Sequence, residues 1–212
     1  MSVNQGKQEP KVGRIRERNT KQILDAAQEE FVLHGFKGTS MQSIADRAEL
    51  PKANIHYYFK NKENLYNEVL NQIIQSWDAA LPALSESNDP KTVLTDFIRK
   101  KMYLSFENPN GSKIFAMEII QGGERLQNYM SHDLREWVKQ RVQIMERWIE
   151  QGKMRPVDPT HLIFMIWATT QHYADFNTQV LEITNQREFE DDEKERITQS
   201  VIDIILNGLG LN

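Results

Sequence analysis

The chain has no cysteine, which removes disulfide frameworks, thiolate metal centres and cysteine nucleophiles together. It has no long apolar run either: the longest lies near 162–168, far short of the roughly 20 residues that span a bilayer. The opening MSVNQGKQEP is polar, so the expectation is a cytoplasmic protein with no secretion signal and no membrane partner. No segment alternates like a half-buried strand, and no glycine-rich stretch has phosphate-loop spacing. Ten glycines and seven prolines instead punctuate apolar residues that recur at helical spacing. The expected fold class is all-α with about nine helices. With 39% hydrophobic residues in 212, the chain can core one small and one medium domain.

Net charge is only −4, but it is unevenly spread. Residues 1–66 carry eleven Lys/Arg against eight Asp/Glu, and the other 146 carry fifteen against twenty-two. A polyanionic partner is therefore expected at the N-terminal end. Lys7, Lys11, Arg14, Arg16, Arg18 and Lys21 lead into the first helix. Residues 1–12 read equally as a flexible arm along a phosphate backbone and as a solvated tail.

The stretch 36–66 reads as a helix-turn-helix. Ser40 offers a hydroxyl N-cap, and Met41, Ile44, Ala45 and Ala48 follow at helical spacing. Glu49-Leu50-Pro51 ends that helix, and proline suits the opening of the next, over about 52–58. In such a motif the second helix enters the DNA major groove. Lys52, Asn54 and His56 have the chemistry to read base edges. Tyr57, Tyr58, Lys60 and Lys62 suit phosphates, which fix register without carrying sequence information. Phe59 is expected in the core.

Phe36-x-Gly38-Thr39, Ile44-Ala45 and Tyr57-Tyr58-Phe59-x-x-Lys62-Glu63-x-Leu65 together resemble the DNA-binding domain of the TetR family of bacterial repressors. The resemblance implies a DNA-facing set of Thr39, Lys52, Ala53, Asn54, His56, Tyr57, Tyr58 and Lys62. It also implies a homodimer on double-stranded, palindromic operator DNA. One departure stands out: the family's Gly-Val-Ser turn is Glu49-Leu50-Pro51 here, so a turn of another geometry is expected.

The organisation read along the chain is an arm (1–12), a DNA-binding domain (13–62) and a ligand-binding and dimerisation domain (63–212). Helix 1 is expected over 14–34 with Ile15, Ile23, Leu24, Ala27 and Phe31 inward, and ends at His34-Gly35. A helix over 62–82 joins the domains, and Asp89-Pro90 opens another through about 106. Residues 108–111 read as a turn before a helix ending at Gly122-Gly123. One long segment, 124–152, follows. An apolar helix over 159–183 comes next, and the acidic 188–195 reads as an exposed helix start. The last two helices are apolar enough to suit a dimer contact.

Trp167, Gln171 and Asp175 fall at i, i+4 and i+8 and share one stripe of the 159–183 helix. An indole plane, an amide and a carboxylate match a small flat ring with alternating C=O and N–H groups. Trp77 could form an opposing wall, with His172 near by. The plain alternative is a packed core whose polar groups satisfy each other or bind water. The string Asp158-Pro159-x-His161 through Asp175-Phe176, with Trp77 and Phe115-x-Met117-Glu118, resembles the pyrimidine-utilisation repressors within the TetR family. That implies uracil or thymine as effector, control of pyrimidine degradation and nitrogen metabolism genes, and Met117 and Glu118 as further ligand contacts. No cofactor, metal site or catalytic residue is expected. Two rivals remain: a TetR-type regulator of an apolar ligand, and an enzyme using His172 and Asp175 as an acid–base pair.

Overall fold

The computed structural model describes residues 11–80 and 89–211, with backbone alone at 11, 12, 79 and 80. Residues 1–10 of the expected arm lie outside it. Among the described residues there is no strand, and the fold is all-α. The chain divides into two compact units between Gln72 and Ile73.

In the first unit, α1 (Lys11–Gly38) is interrupted at Gly35 (φ 64°, ψ 176°), a conformation that L side chains avoid. The stop expected at His34-Gly35 is thus a kink. Ile23, Leu24, Ala27 and Phe31 are buried, but Ile15 is 52% exposed. The expectation fails there because residues 13–18 are all exposed, leaving that turn uncovered. Ser40 caps α2 (Met41–Arg47): its hydroxyl accepts from Ser43 N while Ser43 Oγ accepts from Ser40 N. Arg47 ties α2 to α1 through Glu29 and Glu30, both at 2.7 Å.

The turn into α3 (Lys52–Phe59) corrects a second expectation. Glu49 itself takes the left-handed conformation, with φ 50°. A glycine-type turn is therefore kept without the glycine. Pro51 sits at the N-cap rather than inside the helix, and its carbonyl accepts from Asn54 N at 2.8 Å. Ile55 and Phe59, one turn apart, anchor α3 in the core.

The helix α4 (Lys62–Ala80) contributes to both units. Leu65, Tyr66, Val69 and Leu70 are buried, and Tyr66 meets Phe31 and Phe36 at ring separations of 4.7 and 5.0 Å. These contacts explain why the division falls inside α4 rather than at its start.

In the second unit, Asp89 caps α5 (Pro90–Glu107) through Thr92 N. The turn expected over 108–111 is instead the first turn of α6 (Pro109–Ile120), with Asn108 ending one helix and capping the next. Gly111 permits this, because a Cβ there would lie 2.7 Å from Asn108 Nδ2. The long segment expected over 124–152 is broken. A 3-10 turn (Glu124–Leu126), the single α turn α7 (Gln127–Tyr129) and a π turn (Met130–Leu134) precede α8 (Arg135–Glu150).

Asp158 caps α9 (Pro159–Asp175), accepting from Thr160 N and His161 N. The helix expected through 183 ends at Asp175, and α10 (Asn177–Thr184) starts afresh after Phe176 (φ −116°, ψ 27°). The break is pinned from α6: Ser112 Oγ donates to Asp175 at 2.6 Å and Lys113 Nζ to Asn177 Oδ1 at 2.8 Å. The last helix, α11 (Asp191–Leu209), starts after the first half of the acidic run, and its Glu193 is buried rather than exposed. The core gathers Leu94, Phe97, Ile98 and Met102 of α5, Trp148 of α8, Ile163 and Ile166 of α9, and Val201, Ile202, Ile205, Leu206 and Leu209 of α11.

Candidate functional site: a DNA-reading helix and a ligand cavity

On α3 the side opposite Ile55 and Phe59 is bare. Lys52, Ala53, His56 and Tyr57 are exposed, Tyr57 at 75%, and their spacing (i, i+1, i+4, i+5) sets them on one face. Asn54 and Tyr58 flank it, half-buried. Tyr58 Oη accepts from Asn19 Nδ2 at 3.3 Å, fixing α3 against α1. His56 Nδ1 lies 2.9 Å from the Lys60 carbonyl. A carbonyl only accepts, so that contact assigns the proton to Nδ1 and leaves Nε2 outward as an acceptor in the neutral ring.

Two of the expected DNA-facing residues are engaged inside the unit. Thr39 is buried, and its hydroxyl is shared between the Glu30 and Gly35 carbonyls, each at 2.9 Å. Lys62 Nζ donates to Phe36 O at 2.7 Å and Thr39 O at 2.8 Å, over the Phe36 ring. Both organise the connection that sets up α2 and α3.

The second unit holds a cavity of about 60 Å³ lined by Trp77, Asp78, Lys101, Phe115, Tyr129, Leu134, Trp137, Trp167 and Gln171. That exceeds the roughly 10–15 Å³ needed to hold a single water. Its walls are aromatic: Trp77 meets Phe115 edge-on at 4.8 Å, and Trp137 lies 5.9 Å from Trp167. Polar groups converge on it from several elements. Lys101 is 5% exposed, and burial lowers its pKa to about 8 against the pull of Asp175. Burial pushes Tyr129 up to about 12, helped by Asp78 and Asp133. Asp78, exposed at the rim, is raised by desolvation and by Asp133, against Arg141. Arg141 lies 3.7 Å over the Trp137 ring, with its pKa lowered to about 10 by burial.

Of the seven residues expected at a ligand, Trp77, Trp167 and Gln171 line this cavity together. The other four lie elsewhere. Asp175, third on the stripe, accepts from Ser112 and holds α6 to α9. Glu118 is buried, and accepts from Arg125 N at 3.1 Å and Arg125 Nη1 at 3.4 Å, closing the Gly122-Gly123 turn. Met117 is half-buried away from the lining, and His172 is exposed, with its ring stacked 5.1 Å from Phe176. The cavity adds Asp78, Lys101, Phe115, Tyr129, Leu134 and Trp137. Lys101 had a signal: Leu94, Phe97, Ile98, Lys101 and Met102 share one apolar stripe. Tyr129 and Leu134 had none, because they sit in the short irregular turns at 127–134, too brief to carry a helical period.

Residues 23–69 match the family described as bacterial regulatory proteins, tetR family, and residues 70–212 match the YcdC-like C-terminal region of TetR regulators. The chain belongs to the TetR family. It is 42% identical over 164 residues, 77% of each chain, to the HTH-type transcriptional regulator RutR of Escherichia coli K12. It is 28% identical over 163 residues to the HTH-type transcriptional repressor NicS of Pseudomonas putida, covering 74% of this chain and 76% of that one. AibR in complex with isovaleryl coenzyme A and operator DNA shares the fold at a TM-score of 0.68 and 20% identity, over 88% of this chain and 97% of that one. As a TetR-family repressor, the chain joins a helix-turn-helix to a ligand-responsive C-terminal unit, and it is not an enzyme. No helix of the described residues is long and apolar enough to cross a membrane.

Proposed function

We propose that this TetR-family repressor binds palindromic operator DNA as a homodimer and is released by a pyrimidine base, uracil or thymine. It would thereby control genes for pyrimidine degradation and nitrogen metabolism. The observation that carries the reading is the cavity in which Trp77, Trp167 and Gln171 meet. Indole faces suit a flat ring, and an amide offers a donor beside an acceptor to its C=O and N–H edge. A cavity of about 60 Å³ suits a small ring. The resemblance of the 158–176 string to pyrimidine-utilisation repressors supports that effector class, and the chain is 42% identical to RutR over 77% of its length. Phe164, Met165 and Ile204, at 47%, 59% and 70% exposure on α9 and α11, support a partner chain over those helices.

The release follows from differential binding. The base needs only to bind the DNA-incompetent state better, and a coupling of about 1–3 kcal/mol weakens operator affinity some 5- to 150-fold. Three of the chain's four tryptophans line the cavity, so uracil is expected to quench tryptophan fluorescence saturably. Gln171→Ala is expected to weaken uracil about 5- to 10-fold, the value of one or two neutral hydrogen bonds. An unchanged response in Gln171→Ala would show that the effector binds elsewhere.

A further inference from the structure

Lys101 is buried at a cost to the fold. It sits on the buried stripe of α5 at 5% exposure. Among the described residues its ammonium has no hydrogen bond and no carboxylate within 4 Å, and its close contact is the Trp77 ring at 4.8 Å. Asp175 acts on it only at longer range, its carboxylate being bonded to Ser112 Oγ. A buried charge without a paired counter-charge destabilises a protein. Methionine would fill the same space without that cost. The side chain is also one of the cavity's lining groups, so its three N–H donors are available there.

We propose that Lys101 is the specificity-determining residue of the cavity, its ammonium donating to one exocyclic carbonyl oxygen of the bound ring while Gln171 pairs with a neighbouring C=O and N–H edge. This rests on the pyrimidine reading above. The two residues differ in what they can discriminate. An amide can turn over and serve an edge or its inverse, whereas an ammonium only donates. Gln171 therefore supplies affinity for many flat rings, and Lys101 selects those with an oxygen at its position. Such a ring also brings the acceptor that the buried cation lacks.

The test is calorimetric titration of the full-length protein and its Lys101→Met variant with uracil and its two mono-oxo analogues, 2-pyrimidinone and 4-pyrimidinone. Lys101→Met is expected to weaken uracil about 10- to 100-fold, the range for a charge-assisted hydrogen bond. The analogue lacking the carbonyl that Lys101 reads should bind wild type weakly and be almost insensitive to the substitution. A merely structural role would weaken all three ligands alike. Melting temperature should not fall, since a lone buried charge is removed; Lys101→Gln, which keeps a neutral donor, should retain part of the affinity. Uracil binding within about twofold of wild type in Lys101→Met, or an equal loss for all three ligands, would overturn the proposal. If wild type binds no pyrimidine, the proposed function fails first, and this inference falls with it.

Discussion

Glu49 stands where the TetR-family turn has glycine, and it adopts the left-handed conformation regardless. The sequence showed the missing glycine but not that the surrounding packing would hold a glutamate in its place. Glu49→Gly is expected to stabilise the protein by about 0.5–1 kcal/mol, read by chemical denaturation, because relief of the left-handed penalty exceeds the added chain entropy. Glu30 is a second such position. Its burial pushes the carboxyl pKa up, hydrogen bonds from Arg47 and Ser43 pull it down, and the net value lies below 4.5. A lowered folded pKa contributes stability that is present above pH 4.5 and is lost as pH falls through the folded value. Glu30→Gln is expected to cost about 1.5–3 kcal/mol at neutral pH and to flatten the acid limb of the stability profile. Nothing in the sequence marked Glu30 or Arg47, because they sit 17 positions apart and meet only in the fold.

Helix starts were legible where one side chain decides them. Ser40, Asp89 and Asp158 cap helices as expected, each through an oxygen that accepts from a nearby backbone N–H, whereas Asn108, read as part of a turn, also proves to be a cap. Asp158→Ala is expected to lower the thermal unfolding midpoint, because Thr160 N and His161 N lose the acceptor that caps α9. Helix breaks were less legible, because neighbours impose them. The interruption at Phe176 depends on Ser112 and Lys113, some 60 residues earlier in the chain. No local signal distinguishes 159–183 from one continuous helix. The π turn at Met130–Leu134 is similar, since nothing local in Met-Ser-His-Asp-Leu announces it. These two irregularities also limited the reading of the cavity: the stripe gave Trp167 and Gln171, but Asp175 ends its helix and is held by Ser112.

The uneven charge along the chain, basic in 1–66 and acidic beyond, was readable from composition, and the all-α class and the helix-turn-helix from the spacing of apolar and punctuating residues. What composition could not give was the set of polar groups that converge on one cavity from α4, α5, α9 and the segment around Tyr129. The exposed face of α3 makes DNA binding testable by salt. Lys60→Gln is expected to reduce the slope of log affinity against log salt by about 1 while leaving sequence preference intact, and His56→Ala to relax preference by about 1–3 kcal/mol at one base pair. The account's central claim joins that face to the cavity. The measurement is a gel shift on DNA upstream of the protein's own gene and of neighbouring pyrimidine-catabolism genes, with and without uracil or thymine. Retarded DNA that is released as the base is added is the predicted result; retardation that ignores both bases at saturating concentration would contradict it.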